Sequence, residues 1–548
     1  MPQKRHLLDF VGWVALLALV VPMAARPLSH DDLFWHLQSG AWMAEHHMVP
    51  HVDPFSFTRQ GAPWVTHEWG FSLLVYGIWI AGGYLALIVT RVLLILLIGW
   101  ILVRTMELEG PEEARGYLPV ALLLAGLWTV SAEIILRAAL LSELFLALTL
   151  LLLARYRKTG RPRELACIAG LFWIWANVHS GVVFGLFVLG LFTLEALIRR
   201  QGRPYLLTLA AAGLLSLANP NGIEALLYPF RLSRILFASG IPWDLGHFEA
   251  SSPAANSGLL ILAVLLLAGL LPLRKVPVRV AEVVAIATFV VLLYRSPRFV
   301  FHAVILALPV IYRLWAKRKR SNLAAGVVVL LALASTLVGW ATYRPRPLAL
   351  GVPEPAARFV QKMGIRGRMF NHQNYGGYLL WSLKEPVFWD GRNDVFAPLV
   401  KEYVSTPFPE LMDRYQVEWA LITEHEWDPE FQSARWGLVY WDDFCAIYLR
   451  RIPRFEHHLE WSEKRVVPPF GGWPGMEAVS KDPMLAARAQ AELSMILDHN
   501  PESQRARYFR ALLSLRQGKV DEARWDLEKA LAVRPNEQVS RLLESLPK

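Results

Sequence analysis

The sequence predicts an α-helical polytopic membrane protein that ends in an extracytoplasmic α/β domain and a short helical tail. Three observations carry that expectation. Hydrophobic residues are 54% of the 548 and the mean hydropathy is +0.33, well above soluble composition. Apolar runs recur from the N-terminus to residue 341, separated by short loops that hold Lys and Arg. Past Pro345 the composition turns soluble.

The net charge of +10 does not point to nucleic acid, because the basic residues sit in short inter-span loops rather than on one patch and so act as topology signals. Cys167 and Cys445 lie far apart in the sequence, without metal-ligand spacing or a disulfide framework.

Taken in order, Lys4 and Arg5 precede an apolar run over 7–25. It reads either as a signal peptide ending near Met23-Ala24-Ala25 or as an uncleaved first span, and we take the span, since a polar loop that needs an anchor follows at once. Further runs lie at roughly 84–103, 117–133, 141–154, 165–178, 181–198, 205–218, 257–273, 279–294, 299–315 and 322–341. That makes about eleven spans, several short of the ~20 residues a crossing needs. With the N-terminus inside, the basic loops at 155–163, 199–203, 274–279 and 313–320 all fall inside. This requires 71–80 to lie on the outer face as an amphipathic helix. The first outer loop then covers 26–83, the transmembrane domain 1–343, and everything beyond is outside.

Over 344–474, MFNH, PVFWDG, WALITEH and CAIYLRR read as short strands alternating with helices at 354–363 and 399–403, which is a small α/β domain. The tail over 482–548 is helical by period. Ala511, Leu512, Leu515, Gly518, Ala523, Leu527, Ala530 and Pro535 resemble one tetratricopeptide repeat, preceded by a helix at 486–498. One repeat is too few for a solenoid, so the tail is expected to pack on the α/β domain or to meet a protein partner.

Between the first two apolar runs, Asp31, Asp32, His36, His51, Asp53, His67 and Glu68 crowd into one loop. Polar clusters between spans mark sites at the membrane surface. Asp31 and Asp32 either cap the helix expected at 33–46, with Ser29 opening a capping box, or supply a base or metal ligand, with His36 one turn on from Asp32. Asp53-Pro54 is a turn former, and His67-Glu68 can cap the surface helix. The outer face also gathers Glu133, Arg137, 177–180, 219–256, Arg295 and Arg298.

The pattern Asp32-x2-Trp35-His36-x3-Gly40, then Pro50-x2-Asp53-Pro54-Phe55-Ser56-Phe57-Thr58-x2-Gly61-x2-Trp64, resembles the first outer loop of bacterial integral-membrane glycosyltransferases of the GT-C class. These are relatives of protein O-mannosyltransferases, lipid A aminoarabinose transferases and oligosaccharyltransferase catalytic subunits. Trp175-Ala176-Asn177-x-His179-x-Gly181, Asn219-Pro220-x-Gly222, Tyr228-Pro229, Arg298, Gly376-Gly377-Tyr378-x2-Trp381 and Asp390-Gly391-Arg392-x-Asp394 extend the match to about residue 450. The resemblance implies a GT-C-like fold, a polyprenyl-phosphate-linked sugar donor and a catalytic carboxylate in the first outer loop, at Asp31 or Asp32. It implies a second acidic position at Glu133. Some members use a divalent cation, Mg or Mn, and others none; here Asp31, Asp32 and Glu133 would hold it.

A sugar on a lipid phosphate has a good leaving group, so the chemistry calls for cations on the departing phosphate, from Arg298, Arg295 or Arg137. The same arginines can equally snorkel to headgroups. A carboxylate on the opposite side of the anomeric carbon would deprotonate the acceptor and give inversion. His36, Asp53, His67, Glu68, His179, Asp390, Arg392 and Asp394 are the expected substrate-binding residues, the last three closing over the acceptor from a strand end. The expected partners are the lipid-linked donor, membrane lipid and an acceptor that is protein, lipid or glycan, at a bacterial inner membrane. A non-catalytic assembly factor using its tail, or a lipid-linked-sugar transporter, are the competing readings. The transporter would need a polar site near the bilayer midplane, and Arg91, Glu195 and Glu282 are the main ionisable residues in the spans.

Overall fold

The computed structural model describes residues 14, 16–18, 20–111, 118–239, 278–293, 296–316, 348–472 and 476–547. They divide into two units, Met1–Val52 with Pro63–Ala349, and Asp53–Ala62 with Leu350–Lys548. The expected spans at 257–273 and 322–341, the start of the first span, and Arg295 lie outside the described residues.

In the first unit α1 is Asp31–His46. Its N-cap is His30, whose Nδ1 accepts from Asp32 N–H at 3.3 Å, so the capping box expected from Ser29 is not formed. Asp31 and Asp32 stand in the first turn, where the helix dipole favours carboxylates. The helix stops at His47, in the left-handed region at φ 54.

The next helix, α2 (Trp69–Glu109), is two helices joined at a break, with non-helical backbone at Gly82 and at Gly83, whose φ is 59. Only glycine takes that conformation cheaply. The break separates the expected surface helix from the expected span at the predicted place. Beyond it Leu85, Val89, Leu93, Leu97 and Trp100 are all exposed, between 41% and 68%. An apolar stripe at helical spacing, open along its length, is a lipid-facing surface rather than a water-facing one.

There follow α3 (Leu118–Thr129), α4 (Ala138–Thr159), α5 (Pro162–Val178), α6 (Val182–Ile198), α7 (Arg203–Ser216), α8 (Ile223–Ser239), α9 (Val280–Leu293) and α10 (Val300–Trp315). Among the described residues, Trp69–Glu109, Ala138–Thr159 and Pro297–Trp315 are long and apolar enough to cross a membrane, and α3, α6 and α9 are shorter apolar helices. Nearly all of α10 is buried, from Val300 to Leu314.

The far ends of α2, α4 and α10 meet in an ion cluster. Glu109 accepts from Arg157, Arg279 and Arg313, and Glu282 accepts from Arg279 and Arg313. Glu195 pairs with Arg199 at 2.7 Å and accepts from Ala281 N–H. Arg91 donates to the carbonyls of Ala24 and Arg26. The ionisable residues that a transporter would need at midplane are thus occupied with helix ends.

The second unit holds a four-stranded sheet in the order β1-β2-β4-β3, made of β1 (Met369–Asn371), β2 (Trp419–Ile422), β3 (Trp436–Trp441) and β4 (Ala446–Arg450). β1 pairs with β2 in parallel and the other pairs are antiparallel. All four residues of β2 are buried, as a central strand covered on both faces requires. The expected strand at PVFW is not in the sheet. Val387 makes a lone bridge to Ser56, and Phe388 N–H is taken by the Asn371 side chain at 3.0 Å, so the segment is bound from its flanks instead of laddered. Segment 53–62, expected in the first outer loop, therefore packs within this unit.

The tail forms α11 (Pro483–His499), α12 (Gln504–Arg516), α13 (Val520–Val533) and α14 (Glu537–Glu544). Ala511, Ala523, Leu527 and Ala530 are fully buried in its core. It is tied to the sheet by the β3–β4 turn, where Asp443 accepts from Ser503 Oγ and from the backbone of Gln504 and Arg505 at the start of α12. The tail thus packs on the α/β domain, as one of the two expectations for it has it.

Candidate active site

Glu68, the residue before α2, is the centre of the arrangement. His36 Nε2 and His179 Nε2 each lie 3.4 Å from its carboxylate, and His67 Nε2 lies 3.7 Å away. His36 comes from the buried face of α1. Its Nδ1 bonds Ser72 Oγ at 2.7 Å, which is possible because α1 and α2 touch at Gly40, where a Cβ would strike the Ser72 carbonyl. His179 follows α5, and its Nδ1 bonds Ser142 Oγ of α4 at 2.7 Å. Ser142 in turn accepts from Trp175 Nε1 at 2.7 Å, and Gly181 leaves the room that a Cβ would fill between His179 and Ser142. Tyr228 of α8 stacks on His67 at 3.7 Å, and Asn221 holds the Thr66 carbonyl at 3.1 Å.

Burial pushes the Glu68 carboxyl up, but His67, His36 and His179 outweigh it and hold it well below the usual carboxylate range. Burial drives His179 the other way, and Glu68 only partly restores it, leaving it at about 3. The imidazole is therefore neutral at physiological pH. Unfolded, it would titrate near 6.5, so the unfolded chain binds a proton that the folded chain refuses. The stability this confers is full above pH 6.5 and falls as pH drops, by up to about 1.4 kcal/mol per unit. The thermal midpoint is expected to decline between pH 6.5 and 4.5, and His179→Gln to flatten that decline; an unchanged slope would contradict the assignment.

Asp32 stands beside this group. It accepts from Trp35 Nε1 at 3.2 Å and lies 3.3 Å from His30. Burial raises its carboxyl, while His30, Arg298 and His36 lower it further, so the net result is a carboxylate below its ordinary range. Arg298, in the 3-10 turn Pro297–Phe299 just before α10, is thus within electrostatic reach of Asp32. Burial and the charges of Arg137 and Arg298 act on His30 against the pull of Asp32 and Glu133, leaving it below its usual value. Arg137, the N-cap of α4, pairs with Glu133 at 2.5 Å. One end of the first unit therefore gathers Asp32, Glu68, Glu133, Arg137, Arg298 and the histidines, at the start of the same helices whose other ends carry the Glu109 cluster. Asp31 is 9% exposed on the same first turn.

The remaining expected site residues stand in the second unit. Arg392 donates to Asp53 Oδ1 at 2.7 Å and, through Nε and Nη2, to Asp390 at 2.8 and 2.7 Å. All three are buried, with at most 3% exposure. Their hydrogen-bonding capacity goes to one another and to the turn they close, Asp53 also accepting from Ser56 Oγ at 2.5 Å. This is a fold-holding network, not a surface offered to an acceptor. Asp394 lies in the first turn of the helix Asn393–Ser405. Trp35 and Trp64, which an interfacial loop would float among headgroups, are instead buried and packed edge to face at 6.2 Å.

For a divalent cation the set Asp31, Asp32 and Glu133 does not fit. Glu133 is engaged by Arg137, Asp32 by Trp35, and among the described residues no three His, Cys, Asp or Glu side chains converge as a metal-holding group. Sequence reasoning missed His30, Ser72, Ser142, Glu143 and His302. His302 Nδ1 lies 2.9 Å from Glu143, and both sit inside apolar runs where a lone polar residue in a span was the available signal.

No protein-family model matches the sequence, and no curated protein matches it. Solved structures do. An oligosaccharyltransferase from Archaeoglobus fulgidus in the apo form aligns over 80% of this chain and 74% of its own, at 12% identity and a TM-score of 0.50. ArnT from Cupriavidus metallidurans bound to undecaprenyl phosphate aligns over 80% of this chain and 97% of its own, at 12% identity and a TM-score of 0.51. Identity this low carries the fold alone. The chain shares the fold of these two structures.

Proposed function

We propose that the chain is a membrane glycosyltransferase, moving a sugar from a polyprenyl-phosphate-linked donor to an acceptor on the extracytoplasmic face of a bacterial inner membrane. The observation that carries this is the gathering of Asp32 and Arg298, within electrostatic reach of each other, at one end of the first unit, from opposite ends of the transmembrane sequence. In a direct displacement the acceptor oxygen or nitrogen bonds to the anomeric carbon as the bond from that carbon to the phosphate oxygen breaks. Asp32 takes the acceptor proton, and the electron pair leaves on the lipid phosphate, whose growing charge Arg298 and Arg137 neutralise. The anomeric configuration inverts. Glu68 and its histidines line the sugar side as polar partners. No step passes through a metal ion.

Support also comes from a relative in fold captured with undecaprenyl phosphate, which is the lipid such a transfer would release. The test uses membranes holding the full chain, incubated with polyprenyl-phosphate-linked sugars extracted from the native host. Release of free polyprenyl phosphate that depends on the chain is expected, and is expected to fall by ~10²-fold in Arg298→Ala. Release equal to that of membranes without the chain would reject the reading.

A further inference from the structure

Glu143 and His302 form a buried pair that the chemistry above does not use. His302 Nδ1 lies 2.9 Å from Glu143 Oε1, with side-chain exposures of 8% and 4%. Glu143 Oε2 and both ring nitrogens of His302 have no hydrogen-bond partner among the described residues, so the Nδ1 contact is an ion-pair approach only. The imidazole is enclosed by rings, stacked on Phe289 at 4.9 Å and edge-on to Phe184 at 5.7 Å, with Phe299 at 5.8 Å. A carboxylate and an imidazole at such a place cost more than apolar residues of the same volume would. Packing alone therefore does not explain them.

What the pair joins is informative. Glu143 is on α4, next to Ser142, which holds His179, and in the opening turns behind the N-cap Arg137. His302 is in the first turn of α10, directly behind the 3-10 turn that carries Arg298 and Phe299. Phe299 packs on the same rings, at 5.1 Å from Phe184 and 6.1 Å from Phe289. The pair thus ties the start of the helix bearing one arginine to the start of the helix bearing the other.

We propose that Glu143 and His302 are positioning residues that hold Arg298 in register with Arg137 for the donor phosphate. The proposal rests on the reading of Arg298 as a phosphate ligand. Glu143 lies against the imidazole at Nδ1, and the imidazole, wedged among the phenylalanines, holds the turn. A guanidinium displaced by a fraction of an ångström loses its hydrogen-bond geometry to phosphate, so the effect reaches binding without Glu143 touching the ligand.

The test measures undecaprenyl phosphate binding by the full chain in nanodiscs, for Glu143→Ala, Glu143→Gln, Arg298→Ala and the Glu143→Ala/Arg298→Ala double variant. Glu143→Ala is expected to weaken binding about tenfold, and Glu143→Gln, which keeps the side-chain shape and an oxygen facing Nδ1, to recover to within about threefold of wild type. In the double variant the loss is expected to be no greater than in Arg298→Ala alone. Losses that multiply, or a Glu143→Ala variant that folds and binds as wild type, overturn the proposal while leaving the phosphate-ligand reading intact. An Arg298→Ala variant that binds as wild type removes both. Should Glu143→Ala not fold, His302→Gln, alone and combined with Arg298→Ala, carries the same comparison.

Discussion

Asp32→Asn is expected to abolish sugar transfer, by ~10³-fold or more, while the chain folds and still binds undecaprenyl phosphate. The amide keeps the shape of the side chain and can still accept from Trp35 Nε1, so α1 should hold its start. What it loses is the capacity to take a proton. The native carboxylate is held ionised by His30, Arg298 and His36 against its burial, so it is a base that is already deprotonated when the acceptor arrives. Asp31→Asn is the control. Asp31 shares the first turn and the same favourable dipole, and its loss is expected to cost less than ~10-fold in transfer. If the two variants are equally dead, the base has not been assigned; if Asp32→Asn keeps full transfer, it is not a base.

Arg392→Leu is expected to have the largest effect on stability, about 3–5 kcal/mol, because it leaves two buried carboxylates without their cation. Burial opposes the charge on Arg392, and Asp390 and Asp53 more than reverse that. Both of those carboxylates are fully enclosed, so neither can turn to water. The result should appear as misfolding of the second unit, read by proteolytic release of its fragments and by a lower thermal midpoint. Arg392→Lys should rescue only in part, since one ammonium cannot reproduce the fork that grips Asp390 at two oxygens while reaching Asp53. A variant with unchanged melting and unchanged protease resistance would mean that the network does not hold the fold.

The first outer loop was legible in the sequence as a site, because Asp, His and Glu between apolar runs have no reason to be there except chemistry or a fold contact. Which of those two applied was not legible. His36, His67 and Glu68 converge on one carboxylate with Asp32 beside them, whereas Asp53 pairs with Arg392 in another part of the chain, and nothing local announces a partner 339 residues away. The apolar tetrad PVFW looked like a strand for the same reason. Val387, Phe388 and Trp389 are buried, but the backbone is claimed by a side chain and by a single bridge, contacts that periodicity does not encode. The break at Gly82–Gly83 falls where charge bookkeeping on the loops places the boundary between the helix at 71–80 and the run at 84–103. Glu143 and His302 were hidden by their surroundings, as isolated polar residues in runs that read as lipid-facing. His30 was overlooked as a cap because Ser29, a commoner cap, precedes it.

A structure of the full chain in a lipid nanodisc with undecaprenyl phosphate would decide whether Asp32 and Arg298 serve one glycosyl phosphate. The phosphate is expected within hydrogen-bonding reach of Arg298, with Asp32 across the space where the sugar would sit. A phosphate bound elsewhere, or bound with Asp32 and Arg298 too far apart to flank a single sugar, would contradict it.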